Sequence, residues 1–207
     1  MMLTQYHIEM TREAIGSHFS KRALEKMIAA NINQDRLFGQ FGHDEFHFDN
    51  NAINKGNRYI NEQRGLVIAS MLMPVQPEWS AFGRLLHAAQ YFYAHTNYVT
   101  LWLDSKNGSP HSPAEIDSLK KDLLQSPNLR SGKVYLPMDV IYFIKFLRPF
   151  ALKLLPKDSH GWMNLDSPEQ GFKFDYAIAA AVKRTKYEFD LLQKILSPEM
   201  LAKFVDQ

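Results

Sequence analysis

Phe82 to Asp104, FGRLLHAAQYFYAHTNYVTLWLD, is the stretch that most restricts how this chain can fold. Apolar residues at Phe82, Leu85, Leu86, Ala89, Phe92 and Tyr93 recur at spacings of three and four, and no proline follows until Pro110, so the pattern predicts a helix. His87, Tyr91 and His95 stand four apart on it, ~40° from one another in projection, and therefore share a face. A neutral imidazole offers a nitrogen lone pair without adding charge, which suits a borderline divalent metal. Half-buried histidines bonded to backbone account for such a pair as well, so residues elsewhere in the chain have to decide.

The 207 residues are 45% hydrophobic and 22% charged, enough for one ordinary core and too apolar for disorder. A net charge of +2 gives no strongly cationic footprint, so no specific double-stranded nucleic acid is expected as a partner. Cysteine is absent, which removes disulfides, a thiolate nucleophile and Cys-ligated zinc; a metal has to be held by His, Asp, Glu, Asn or backbone. His7, Glu9 and Arg12 interrupt the apolar core that a secretory signal needs. The chain is therefore expected to be cytoplasmic as synthesised, with signal-less export or delivery to a host left open. Leu66 to Val75 is too short to span a bilayer, and Val140 to Leu155 contains Lys145, Arg148, Pro149 and Lys153, so no transmembrane segment is expected. The second stretch reads as a buried core helix with basic ends in preference to one lying on a membrane, and transient membrane-surface contact stays open.

In order, His7 to Ile15 is a helix ended by Gly16, and Ser20 caps a second over Lys21 to Ala30. Asn31 to Asn50 holds Asp35, Asp44, Asp49, Glu45, His43 and His47 with little periodicity and reads as a long ordered loop. A helix over Asn51 to Met73 ends at Pro74, and Pro113 to Leu124 reads as a short surface helix. Met138 to Leu155 is a helix that Pro149 kinks or divides, residues 157–171 form a loop, and Phe172 to Leu196 is a long helix before a short one started by Ser197 and Pro198. The fold class expected is all-α: one helical domain over residues 1–207. Its metal site is built by helices near 7–15 and 82–104 and by long ligand-bearing loops at 31–50 and 157–171.

His7, His47, His87, His95 and His160 can be gathered by such a bundle, and Asp35, Asp49 and Asp166 can complete a site for two or three metals. A site of that kind binds a phosphate ester and lowers the pKa of bound water toward ~7. No Gly-rich phosphate loop, nucleophile elbow or His-Glu-x-x-His helix is present. His111 and Glu115 stand four apart but look like capping residues at a helix start, and His18 and His43 read as surface or loop residues.

Four stretches taken together are similar to the zinc-dependent phospholipase C fold family, in particular its Het-C-like branch, which groups the heterokaryon-incompatibility protein Het-C with related bacterial phospholipases. They are His7 to Ala14; Ala30 to Asp35 with His47-Phe-Asp-Asn50; Gly83 to Asn97; and His160 to Ser167 with Ala177 to Thr185. The resemblance implies an all-helical fold with up to three Zn²⁺ ions that hydrolyses phosphodiesters. It implies His7, Asp35, His47, His87, His95 and His160 as ligands, with Asp35 also positioning or deprotonating the attacking water. Asp166 or Asn164 would add an oxygen ligand, and Asp166 is preferred because a carboxylate binds Zn²⁺ better than an amide. The branch reads Gln-Asp-Phe-Tyr-Ala-His in the central helix, whereas this chain has Tyr91 in place of the Asp, and a phenol with pKa near ~10 is a poor substitute. The wider family also uses an amino-terminal Trp as ligand and none precedes His7, so one or two metals are expected in place of three.

The leading expectation is a zinc-dependent phosphodiester hydrolase, phospholipase C-like, in which a zinc-bound hydroxide attacks a phospholipid or other phosphodiester. Two alternatives stand beside it. One is a non-catalytic or weakly active Het-C-like interaction protein, favoured by Tyr91. The other is a single-strand nuclease that stacks bases on Tyr91, Tyr93, Tyr98 and Trp102.

Overall fold

In the computed structural model the described residues are 2–36, 42–72, 78–106 and 111–206. The helix built on the central apolar stretch, α5 (Glu78–His95), is buried all round, with only Ser80 and Arg84 reaching beyond the core. A largely apolar helix buried on every face has to be surrounded. Here α2 (Lys21–Asn33), α4 (Ile53–Ser70) and α11 (Lys173–Ile195) pack around it, while α1 (Thr4–Ile15) lies against α2 and α11. The last helix, α12 (Pro198–Val205), closes one end, where the indole N–H of Trp79 donates to Phe204 O at 2.7 Å. Among the described residues there is no strand, only two isolated bridges, Thr96 with Ser131 and Lys133 with Ser159. The chain is all-α, and no helix of the described residues is long and apolar enough to cross a membrane.

Local chemistry accounts for the helix starts. Ser20 Oγ accepts from Ala23 N at 3.1 Å and Ser197 Oγ from Met200 N at 3.2 Å, with Pro198 in the first turn. Gly83 sets the closest approach between helices: a Cβ there would stand 2.2 Å from Met27 O of α2. Gly56 does the same for Phe48, whose ring would meet a Cβ at 2.5 Å. Phe48 itself has φ 59°, a left-handed conformation that ends α3 (Asp44–His47) and turns Asp49 back toward the core.

Several boundaries differ from the expectation, and at Pro149 the expected division occurs. The central helix stops at His95 because Thr96 Oγ1 bonds back to Phe92 O (2.6 Å) and accepts Tyr98 N–H (3.2 Å), which starts a separate α6 (Tyr98–Asp104). Residues 113–124 are not one helix. The phenols of Tyr93 and Tyr98 take the carbonyls of Ser118 (2.6 Å) and Asp117 (2.5 Å), leaving a 3₁₀ turn at Pro113–Glu115 and a single turn, α7 (Lys121–Leu124). Pro149 divides the stretch 138–155 into α8 (Met138–Tyr142) and α9 (Arg148–Leu154) with a 3₁₀ turn between them, since its ring cannot continue a helix through Lys145. These two helices are not buried core: Val140, Phe143, Phe146, Phe150 and Leu154 are exposed. The expected loop at 31–50 contains the end of α2 and all of α3, with residues 37–41 outside the described ones, and the loop at 157–171 contains α10 (His160–Met163).

One charged network joins α4 and α11 around a buried carboxylate. Glu188, with no exposed surface, accepts from Arg64 Nη2 (2.6 Å), Arg64 Nε (3.2 Å) and Arg184 Nε (2.7 Å). Glu188→Ala leaves both guanidiniums uncompensated and is expected to cost ~3–5 kcal/mol in urea unfolding. Gly83→Ala is expected to lose ~1–3 kcal/mol by overpacking α2 against α5, lowering Tm by ~2–4 °C per kcal/mol, read by calorimetry. Gly65→Ala, where no atom stands within 4 Å of the added carbon, is the paired control and should raise Tm slightly.

Candidate metal centre

Because α5 is buried all round, its polar side chains have to find partners inside the protein. Gln90 is the hub. Its Oε1 accepts from His7 Nδ1 (2.7 Å) and Asn31 Nδ2 (3.0 Å), and its Nε2 donates to Thr11 Oγ1 (3.1 Å) and Thr185 Oγ1 (3.2 Å). Asn31 Oδ1 in turn accepts from His87 Nδ1 at 3.1 Å. Both imidazoles therefore carry their proton on Nδ1 and present Nε2 as a bare lone pair. Those nitrogens point at Asp35, in the turn after α2: His7 Nε2 is 3.7 Å from Oδ2 and His87 Nε2 is 3.8 Å from Oδ1, with His47 Nε2 of α3 3.3 Å from the same Oδ1. Among the described residues the Nε2 atoms of His7, His47 and His87 are buried without a hydrogen bond.

A second group forms at the C-terminal end of α5. Two loop amides satisfy the last helix carbonyls, Leu165 N on Ala94 O (2.7 Å) and Gly132 N on His95 O (3.1 Å), and so pin the flanking loops there. His160 N then bonds Lys133 O at 2.8 Å, and Asn50 N bonds Gly132 O at 2.8 Å, which carries Asp49 and His160 to His95. His95 Nδ1 lies 3.1 Å from Asp49 Oδ1, and its Nε2 lies 3.0 Å from Asp166 Oδ1 and 3.2 Å from His160 Nε2. Donors on one tetrahedral zinc stand ~3.3 Å apart, given metal–ligand bonds of ~2.0–2.1 Å. The donor atoms of His7, Asp35 and His87, and separately of Asp49, His95 and His160, lie within 4.8 Å of one another. Either triad can close on one divalent ion, with His47 beside the first and Asp166 beside the second.

Burial lowers the pKa of His7 and, more strongly, of His87, and with His95 beside it brings His160 down to about 3. All three are neutral and able to donate a lone pair. His95 differs: burial opposes its charge, but the Asp166 and Asp49 carboxylates outweigh burial and raise it to about 9. Tyr91 sits between the two groups. Its ring centroid is 4.9 Å from that of His7, 4.8 Å from His47, 4.7 Å from His87 and 4.5 Å from His95. Its hydroxyl donates to Asp35 Oδ1 (2.9 Å) and accepts from Met2 N (3.2 Å), and burial together with Asp35 pushes the phenol well above its usual range.

The groups open into a cavity of ≈ 70 Å³, ample for several water-sized species at ~10–15 Å³ each. Asp35, His47, Asp49, Tyr91, His95 and His160 line its inner part, and the exposed Val134, Leu136, Val140 and Phe143 line its mouth.

The structure thus brings together His7, Asp35, His47, His87, His95, His160, Asp166 and Tyr91. Asn164 is elsewhere engaged: its amide donates to His160 O (2.8 Å) and Gly161 O (3.1 Å) and staples α10. His111 pairs with Glu115 at 2.9 Å on the surface, where His111 and the Ser112 amide hold the Glu115 carboxyl down to about 2. His18 packs its ring on Phe189, and exposed His43 stacks on Phe46. Tyr91, Tyr93, Tyr98 and Trp102 are all buried and offer no face for base stacking. The residues that sequence reasoning passed over are Gln90, Asn31, Thr11 and Thr185, and also Asp139, a buried carboxyl raised by burial that accepts from Tyr135 N (2.6 Å) and Gly161 N (2.9 Å). Gln90 was open to notice as an amide between the two histidines of a largely apolar helix; nothing local marks the others.

With this geometry in view, the comparison with protein families is decisive on lineage. The model of the VWA7 N-terminal domain matches residues 4–113, just over half of the chain. The chain belongs to the VWA7 N-terminal domain family. That match overturns the likeness to the zinc-dependent phospholipase C and Het-C proteins. The physical reason is that histidines eight apart on one face of a buried helix, and acids in the turns facing it, are what any bundle needs to gather donors, so they report chemistry and not descent. No curated protein and no solved structure matches the chain.

Gln90→Leu tests the hub. It strips partners from His7 Nδ1, Asn31, Thr11 and Thr185 at once and is expected to lower stability by ~1–3 kcal/mol for each group left unpaired, read by urea unfolding.

Proposed function

We propose that this VWA7 N-terminal domain is a metal-dependent phosphodiester hydrolase that takes Zn²⁺ at one or both triads, with phospholipids among its candidate substrates. The observation that carries the reading is the convergence of three buried imidazole Nε2 atoms, from His7, His47 and His87, on the Asp35 carboxylate beside an open cavity. Imidazole and carboxylate together suit zinc better than calcium or magnesium, which take oxygen ligands.

His7, His87 and Asp35 would hold one ion, and Asp49, His95 and His160 the other, with Gln90 and Asn31 fixing the ring orientations from behind. When bound there, such ions supply Lewis acidity toward phosphate oxygens and water activated near neutral pH. Asp35 lines the cavity and lies within reach of His47, so it is placed to orient or accept a proton from water entering it. Tyr91 keeps its proton on the Asp35 side and contributes a donor, not an anion. The apolar mouth at Val134, Leu136, Val140 and Phe143 suits an ester with a hydrocarbon part.

Tyr91 also favours a second reading. A bulky phenol ringed by four imidazoles fills the space between the triads, which fits an interaction domain in which metal serves stability alone.

Elemental analysis after dialysis against Zn²⁺ distinguishes the readings when paired with hydrolysis of bis(p-nitrophenyl) phosphate and a chromogenic phosphocholine ester. About two zinc ions per chain are expected, with hydrolysis that a chelator removes and zinc restores. His87→Ala should lose one ion and most of the activity, since even ring-orienting partners are worth ~10–100-fold in metal affinity. Zinc uptake without hydrolysis would leave the stabilised interaction domain, and a chain that takes up no zinc would sink both.

A further inference from the structure

Nine of the fifteen large apolar side chains that stand exposed among the described residues fall between Val134 and Trp162. This segment forms its own small core of Tyr142, Ala151 and Leu155, apart from the main one, and turns its outer face to solvent. Phe146, Phe150 and Leu154 follow one another at spacings of four, with Phe146 81% exposed. Trp162 is locked at the end of α9, its indole N–H donating to Leu152 O (3.0 Å) and Leu155 O (3.2 Å), with the Lys157 ammonium 3.1 Å above its ring. An apolar face of this extent on a chain of this size calls for a partner.

Charge selects which partner. Residues 133–157 carry Lys133, Lys145, Arg148, Lys153 and Lys157 against a single acid, Asp139, which is buried. Lys133 pairs with Asp158 (2.9 Å), and Lys145 (2.9 Å) and Arg148 (2.8 Å) pair with Glu169. Lys153 and Lys157 have no carboxylate partner among the described residues, and the Lys157 ammonium stands over the Trp162 ring. A second copy on the same face would set these lysines against lysines, which opposes a symmetric pair. Phe, Leu and Trp flanked by long basic side chains are the combination that enters the headgroup region of a bilayer while the ammonium groups reach lipid phosphates.

We propose that the face formed by α8, α9 and Trp162 docks on an anionic phospholipid surface. The mouth of the candidate metal cavity lies in the same segment, at Leu136, Val140 and Phe143, so docking turns it toward the headgroups. Delivery of lipid phosphodiesters to the cavity rests on the hydrolase reading; the docking itself does not.

The test uses the full chain in EDTA, so that binding is read without metal. Co-sedimentation is measured with vesicles of phosphatidylcholine alone and of phosphatidylcholine with phosphatidylserine, alongside quenching of tryptophan emission by brominated lipid. Trp79 and Trp102 are 1% exposed, so quenching reports Trp162. Expected are binding to the serine-containing vesicles that salt weakens, quenching of Trp162, and a loss of at least ~10-fold in Phe146→Glu/Phe150→Glu. Lys153→Gln and Lys157→Gln should each weaken binding by about fivefold, the equivalent of ~1 kcal/mol per charge. The proposal is overturned if the parent chain binds neither vesicle, or if the double glutamate variant, with unchanged Tm, binds as the parent does. It is overturned too if sedimentation equilibrium shows self-association through this face and no vesicle binding. Zinc uptake, measured separately, fails or succeeds independently of these outcomes.

Discussion

Complete burial of α5 is the condition from which the rest of the molecule follows. A helix with no exposed face gives up solvent on all sides, and most polar groups it carries are matched by another element, with the Glu78 carboxylate and His87 Nε2 the exceptions among the described residues. Gln90 is matched four ways, by α1, α2 and α11, so one side chain ties three surrounding helices to the central one. The terminal carbonyls of Ala94 and His95 are matched by loop amides, and those two bonds bring the segments at 131–134 and 164–166 to the helix end. The packing of the bundle and the assembly of the site are therefore one problem with one solution.

Within that frame the imidazoles are oriented from behind. Because Gln90 and Asn31 occupy the Nδ1 sides of His7 and His87, the Nε2 sides face a common volume with Asp35, at distances close to those between ligands on a single ion. At the other end His95 is held between two carboxylates and against His160. Tyr91 lies at the junction and gives the cavity a hydroxyl where a carboxylate would have added charge.

The helical periods and caps could be read directly from the residues: α1 ends at Gly16, α2 begins after Ser20, and α12 begins after Ser197 at Pro198, while the expected end of the helix over Asn51 to Met73 lies outside the described residues. The histidines and aspartates of the two groups were nameable in advance by residue type, while their gathering rests on the fold. What misled was lineage. The motifs that resembled a zinc phospholipase C are short, and the match of residues 4–113 to the VWA7 N-terminal domain supersedes them. The segment 138–155 misled in another way: its apolar content was read as core, whereas Pro149 splits it and leaves half its large side chains facing outward. Periodicity states which residues share a face and is silent on what that face meets.

What the sequence determined by itself was the all-α class, the helix that had to be central, and the chemistry of the donors, because these depend on spacing of three and four, on caps and on residue type. Only the tertiary structure decided that the donors divide into two triads with Tyr91 between them, that Gln90 and Asn31 set the tautomers, and that the face around Phe146 and Phe150 stays uncovered. The contacts that orient the rings join residues 56 to 95 positions apart, such as His87 with Asn31 and Gln90 with Thr185, and no local pattern encodes a distance of that kind.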